Sequence, residues 1–67
     1  MILASKNIKE YLDLIGLSSK DFAAKIGFDE ATTSQVLNRK EEPSKKFIEM
    51  VITETGMKFE KAFEIEE

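Results

Sequence analysis

The sequence predicts an all-α fold, a compact bundle of about five short helices forming one domain over residues 1–67. Three observations lead there. Apolar residues recur at the three- and four-residue spacing of a helix face. Residues that start and stop helices punctuate the chain at short intervals. No segment shows sustained period-two alternation, and no hairpin dipeptide occurs.

Ser5 is placed to cap a first helix, 5–15, whose Ile8, Tyr11, Leu12 and Ile15 form an i, i+3, i+4, i+7 stripe. Gly16 follows the last apolar position, as a left-handed C-cap requires, and Leu17 returns to the core. Ser18-Ser19-Lys20-Asp21 has the S-x-x-D form of a capping box and opens a second helix, 19–26, with Phe22, Ala23 and Ile26. Gly27 ends it. Here glycine is expected both for a positive φ and because a Cβ would clash in a tight turn. The small Ala23 marks the crossing of this helix with the next. Asp29 caps a third helix, 30–38, and Arg39 to Ser44 is the longest loop. Pro43-Ser44 opens a fourth helix, 44–55, carrying Phe47, Ile48, Val51 and Ile52 and stopped by Gly56. Met57 to Ile65 reads as a short fifth helix, 58–65, using Phe59, Ala62 and Phe63.

Composition narrows the function. A chain of 67 residues buries only about 60% of its unfolded surface, so its stability is a few kcal/mol. It has no cysteine and no histidine, which removes a disulfide framework and leaves no expected metal site or cofactor. Met1 to Ala4 is too short an apolar run for a signal peptide or a membrane span, so the expectation is a soluble, cytoplasmic protein. No catalytic arrangement is present: there is no P-loop, and Asp13 and Asp21 are single surface acids. Neither enzyme activity nor a small-molecule ligand is expected.

Net charge is -3, which counts against nucleic acid as a partner, but its distribution is uneven. Residues 1–40 hold six Lys/Arg and five Asp/Glu, whereas residues 41–67 hold four Lys and eight Glu. Within the third helix, Thr33, Val36 and Leu37 fall on one side, and Ala31, Gln35 and Asn38 on the other with Ser34 beside them. The outward face therefore presents small and amide groups. Those are groups the DNA major groove accepts, since an amide pairs bidentately with adenine and a methyl contacts thymine. Around it stand candidate phosphate donors: Ser19 and Lys20 at the start of the second helix, Asn38, Arg39 and Lys40 at the end of the third, and Lys45 and Lys46 opening the fourth. The blander readings are also open. Gln35 is also a good exposed helix former, Asn38 a helix C-terminal residue, Glu30 a first-turn acid favoured by the dipole, and Lys45 and Lys46 solvated cations.

From Leu17 to about Phe63 the chain resembles the phage Cro/repressor type of helix-turn-helix domain. The resemblance lies in Ser19-Lys20-Asp21-Phe22-Ala23-Ala24-Lys25-Ile26-Gly27, Ser34-Gln35-Val36-Leu37-Asn38, Pro43-Ser44 and Gly56-Met57. It implies a lambda repressor-like fold, a recognition helix at Glu30–Asn38 and a homodimer on a palindromic operator in double-stranded DNA. Base reading then falls to Glu30, Ala31 and Gln35, joined by Ser34 from the helix-face reading above, and phosphate contact to Ser19, Asn38 and Lys40. The function implied is sequence-specific transcriptional regulation, as a repressor. The chain departs from the pattern at Arg39, where the family usually has glycine, at Thr33, where it has an aliphatic residue, and at the acidic Glu41-Glu42.

Those two glutamates and the acidic balance leave an alternative: a protein-interaction module, antitoxin-like or anti-repressor, that keeps the fold and binds a protein instead of DNA. Charge reversal at Arg39 or Lys40 is expected to abolish DNA binding with little effect on melting temperature. Phe59, Phe63 and Ile65 are either core or a dimer contact, and Glu64, Glu66 and Glu67 are expected to be a solvated tail.

Overall fold

The fold was described from a computed structural model, which describes residues 1–65; Glu66 and Glu67, assigned above to a tail, lie outside them. Five helices and a two-stranded sheet follow in the order β1 (Ile2–Ala4), α1 (Lys6–Ile15), α2 (Ser19–Ile26), α3 (Glu30–Leu37), α4 (Lys45–Thr55), α5 (Phe59–Ala62) and β2 (Phe63–Ile65). The radius of gyration, 10.5 Å, matches the roughly 11 Å of a folded chain of this length.

The helix starts sit at the punctuation residues. Ser18 Oγ accepts from the Asp21 backbone N–H at 3.2 Å, the first bond of the expected capping box, and donates to the Asp21 carboxylate at 3.0 Å, a side-chain bond in place of the box's reciprocal one to the backbone. Asp29 Oδ2 accepts from the Thr32 N–H at 2.9 Å, and Ser44 Oγ from the Phe47 N–H at 3.1 Å. Ser5 stands before α1 but caps nothing with its side chain. Its hydroxyl donates to the Lys61 carbonyl at 2.7 Å, and its N–H to the Ala62 carbonyl at 2.9 Å. Together with the Asn7 amide, which donates to the same Lys61 carbonyl at 3.0 Å, these bonds stitch the start of α1 to the end of α5.

The expectation of an all-α fold with a helix over 58–65 is corrected at both ends of the chain. The fifth helix stops at Ala62, and Phe63–Ile65 runs antiparallel to β1 in the register Ile2↔Ile65, Leu3↔Glu64, Ala4↔Phe63. Alternation explains the switch: as strand partners, Ala4 and Phe63 both point to the core, at 1% and 2% exposure. A continued helix would have carried Phe63 around the axis while leaving the backbone of Ile2–Ala4 unpaired. Phe63 is thus core, not a dimer contact, and Glu64 belongs to a strand instead of a solvated tail.

The core gathers Ile8 and Leu12 of α1, Phe22 and Ile26 of α2, Val36 and Leu37 of α3, and Phe47 and Val51 of α4, with Ala4, Ala62 and Phe63 closing the sheet end. Phe28, in the α2–α3 turn, sets its ring edge-on to Phe47 with centroids 5.1 Å apart. Thr33 is fully buried, and its hydroxyl has no hydrogen-bond partner among the described residues.

The helix ends fall into one pattern with one exception. Gly16, Gly27 and Gly56 end α1, α2 and α4 at φ 71°, 77° and 70°. At Gly27 an added Cβ would meet nothing within 4 Å, so the expected clash is absent and the positive φ alone calls for glycine. Beyond α3 the same left-handed position is held by Arg39, at φ 62°. Its N–H bonds the Val36 carbonyl at 3.0 Å and the next N–H, of Lys40, bonds the Gln35 carbonyl at 2.8 Å. That pair of bonds is the Schellman closure of a helix. A side chain there costs about 1–2 kcal/mol.

Candidate nucleic-acid interface

α2 and α3 pack on one another through the turn Gly27–Asp29, with Ala23 buried at 2% exposure. This contact and the fit of α3 to β1 direct Thr33, Val36 and Leu37 inward, where all three are buried. The opposite side of α3 is left to solvent: Glu30, Ala31, Gln35 and Asn38 are exposed, and Ser34 is half-buried. α3 thus places the expected base-reading residues along its outer face. The Asp29 carboxyl that starts this helix is held below the usual carboxylate range by the Thr32 backbone N–H first, and by the Thr32 hydroxyl after it.

The expected phosphate donors divide into three groups. Ser19 and Asn38, from different helices, line one cleft of about 330 Å³ between α1, the start of α2 and the end of α3. Lys9, Leu12, Asp13, Leu17, Ser18 and Leu37 complete its walls. Lys9 is the residue that sequence reasoning missed: its Nζ donates to Asn38 Oδ1 at 2.7 Å, tying α1 to the end of α3. The Asn38 amide nitrogen faces inward, donating to the Ser34 carbonyl at 2.9 Å and approaching the Ser34 hydroxyl at 3.3 Å. Asn38 therefore spends its donors on closing α3. Lys9 is the cation lining that cleft, and Asp13 is the acid in its wall. The only signal for Lys9 in the sequence was its place on the polar face of α1, a turn before Asp13.

Lys20, Lys40, Lys45 and Lys46 form the second group, all exposed. Lys20 lies in the first turn of α2, Lys40 just past the end of α3, and Lys45 and Lys46 in the first turn of α4, where no acidic residue offsets them. Glu41 and Glu42 are exposed between the last two sites.

Arg39 stands alone. Its Nε donates to the Ala4 carbonyl at 2.9 Å and its Nη2 to Glu64 Oε2 at 3.1 Å. The guanidinium is turned toward the sheet, on the inward side of α3, instead of joining the outer rim as expected.

Of the residues assigned to a dimer contact, Phe59 is 38% exposed with its ring stacked on Phe63 at 5.7 Å, and Ile65 is 69% exposed. No helix among the described residues is long and apolar enough to cross a membrane. Comparison with protein-family models, with curated proteins and with solved structures finds no match to this chain.

Proposed function

We propose that this chain is a non-catalytic, sequence-specific DNA-binding regulator of the helix-turn-helix type, with α2 and α3 as the motif and α3 lying in the major groove. One observation carries the reading: α3 buries Thr33, Val36 and Leu37 while leaving Ala31, Gln35 and part of Ser34 to solvent, with Lys20 in the first turn of α2 and Lys40 just past the end of α3 also exposed. An idle surface helix favours long charged side chains; this face offers an amide, a methyl and a hydroxyl, which suit base edges. Gln35, in the middle of the face, reads adenine, and Ala31 contacts a thymine methyl. Lys9, Lys20, Lys40, Lys45 and Lys46 hold phosphates and set register without reading sequence. One short helix reaches only a few base pairs, so the reading includes a homodimer on a palindromic operator, its half-sites about one helical turn apart. Phe59 and Ile65 supply the apolar surface for that contact. Occupying a promoter in this way makes the protein a repressor.

Selection from a random double-stranded DNA pool at low salt, with Gln35→Ala run in parallel, tests it. The expected outcome is a palindromic motif, relaxed in the variant at one position per half-site, because a bidentate amide contact contributes about 1–3 kcal/mol of discrimination. A pool with no enriched motif and no retention at roughly 50 mM salt, where phosphate contacts are strongest, rejects the proposal.

The acidic pair supports a second reading. Glu41 and Glu42 are exposed in the loop leaving α3, on a chain of net charge -3. A basic protein surface would suit that loop better than a phosphate backbone does. In that case charge reversal at Glu41 and Glu42 abolishes partner capture, and Gln35→Ala does not.

A further inference from the structure

We infer that Arg39 is a positioning residue: its guanidinium clasps both strands of the terminal sheet to the C-terminal end of α3 and so sets the angle at which the α3 face is presented. The functional half of this inference rests on the DNA-binding reading above; the clasp itself does not.

The backbone makes the first part of the case. At the left-handed position after a helix, this chain uses glycine in all the other instances, Gly16, Gly27 and Gly56, and a long side chain only at Arg39. A left-handed residue with a Cβ is strained wherever it occurs, so the side chain must return something that glycine cannot. The contacts make the second part. Nε reaches β1 at Ala4 and Nη2 reaches β2 at Glu64, partners 35 and 25 residues away in the chain. Ser5 donates to the Ala62 carbonyl, so in the alternating antiparallel ladder the Ala4 carbonyl points away from β2. Ala4 is only 1% exposed, and without Arg39 that outward carbonyl would lose the hydrogen bond that satisfies it. Geometry makes the third. β1 packs on α3, the side that buries Thr33, Val36 and Leu37, so a guanidinium bonded to Ala4 is directed away from the Ala31–Gln35 face. Two of its five N–H groups are engaged, and a phosphate reaching the others would meet the Glu64 carboxylate beside them.

Two readouts test the clasp, on Arg39→Gln, Arg39→Lys, Arg39→Gly and Glu64→Gln in the full chain. The first needs no DNA: amide hydrogen exchange followed by NMR. Arg39→Gln is expected to speed exchange at Leu3, Glu64 and Lys40 by roughly tenfold relative to core amides such as Val51. Arg39→Gly, which relieves the backbone but removes the clasp, speeds the strand amides alone, and Arg39→Lys falls between. Exchange at Leu3 and Glu64 within about twofold of the parent in Arg39→Gln overturns the inference.

The second is affinity for the selected operator against salt. A phosphate ligand contributes about 0.9 to the slope of log affinity against log salt. Arg39→Gln is expected to weaken binding with the slope unchanged, and Glu64→Gln to weaken it as well, although removing a negative charge should by itself favour DNA. A slope reduced by about 0.9 in Arg39→Gln, or tighter binding by Glu64→Gln, overturns the positioning role. If the parent chain binds no DNA, the DNA reading fails, and the exchange measurement alone decides whether the clasp exists.

Discussion

Thr33 offers the sharpest test of the packing. It is fully buried on the inner side of α3, its N–H bonded to the Asp29 carbonyl at 3.1 Å, and its hydroxyl has no partner among the described residues. A buried hydroxyl without a hydrogen bond costs about 1–3 kcal/mol of desolvation. Thr33→Val replaces that hydroxyl with a methyl of similar shape and opens no cavity; Val and Thr also have nearly equal helix propensity. The expected gain is therefore at least about 1 kcal/mol, which in a domain of this size raises Tm by roughly 4–8 °C. Thr33→Ser keeps the hydroxyl and loses the methyl, and should lower Tm by a comparable amount. Thermal unfolding followed by circular dichroism measures both, and urea unfolding with an unchanged m-value confirms that the native state is the one affected. A lower Tm for Thr33→Val would mean that the hydroxyl finds a bond in solution, and would refute the reasoning. Because Thr33 faces away from the outer side of α3, the same variant should leave any DNA affinity unchanged.

The other expectations concern the sheet, the caps and the rim. Phe63→Ala removes a buried ring and costs about 3–5 kcal/mol, most of the stability of so small a domain, so urea titration should find it largely unfolded at 25 °C. Phe59→Ala, at a half-exposed ring, should leave a folded protein with a modestly lower midpoint. Asp29→Asn keeps an N-cap that no longer titrates. The Asp29 pKa is lowered on folding, so its contribution is present above the unfolded value of 3.8 and fades as pH falls through the folded one. The stability difference between parent and variant should shrink on acidification below that value, and a difference independent of pH would contradict it. Arg39→Glu should lower Tm by several degrees, since it sets a carboxylate against Glu64, whereas Lys40→Glu should leave Tm nearly unchanged; equal effects would count against the clasp.

Four of the five helices were legible in the sequence to within a residue or so, because their ends are written in local chemistry. Ser18, Asp29 and Ser44 bond N–H groups three residues on, and such bonds can be read from a short window. The inner and outer sides of α3 were legible for the same reason, since 100° per residue separates Thr33, Val36 and Leu37 from Ala31 and Gln35. The sheet was not. Ile2–Ala4 and Phe63–Ile65 are each three residues long, too short to show alternation, and each is defined only by the other. The diversions follow from that pairing: Ser5 gives its hydroxyl to Lys61, and Arg39 its guanidinium to Ala4 and Glu64. Lys9 was missed because its link to Asn38 joins residues 29 apart in sequence. Local chemistry was readable, whereas long-range bonds of single side chains were not.

The register Ile2↔Ile65 also has a kinetic side. It brings residues near the two ends of the described chain about 5 Å apart, so the sheet forms only when a loop of roughly 60 residues closes, at a chain-entropy cost of roughly 3–4 kcal/mol. The helices and their local contacts can assemble without waiting for that closure. A circular permutant, joined through a short linker after Ile65 and opened between Glu41 and Glu42, would turn this most distant pairing into a neighbouring one. Every contact of the native fold would survive, and the strands would zip as a hairpin on the microsecond scale.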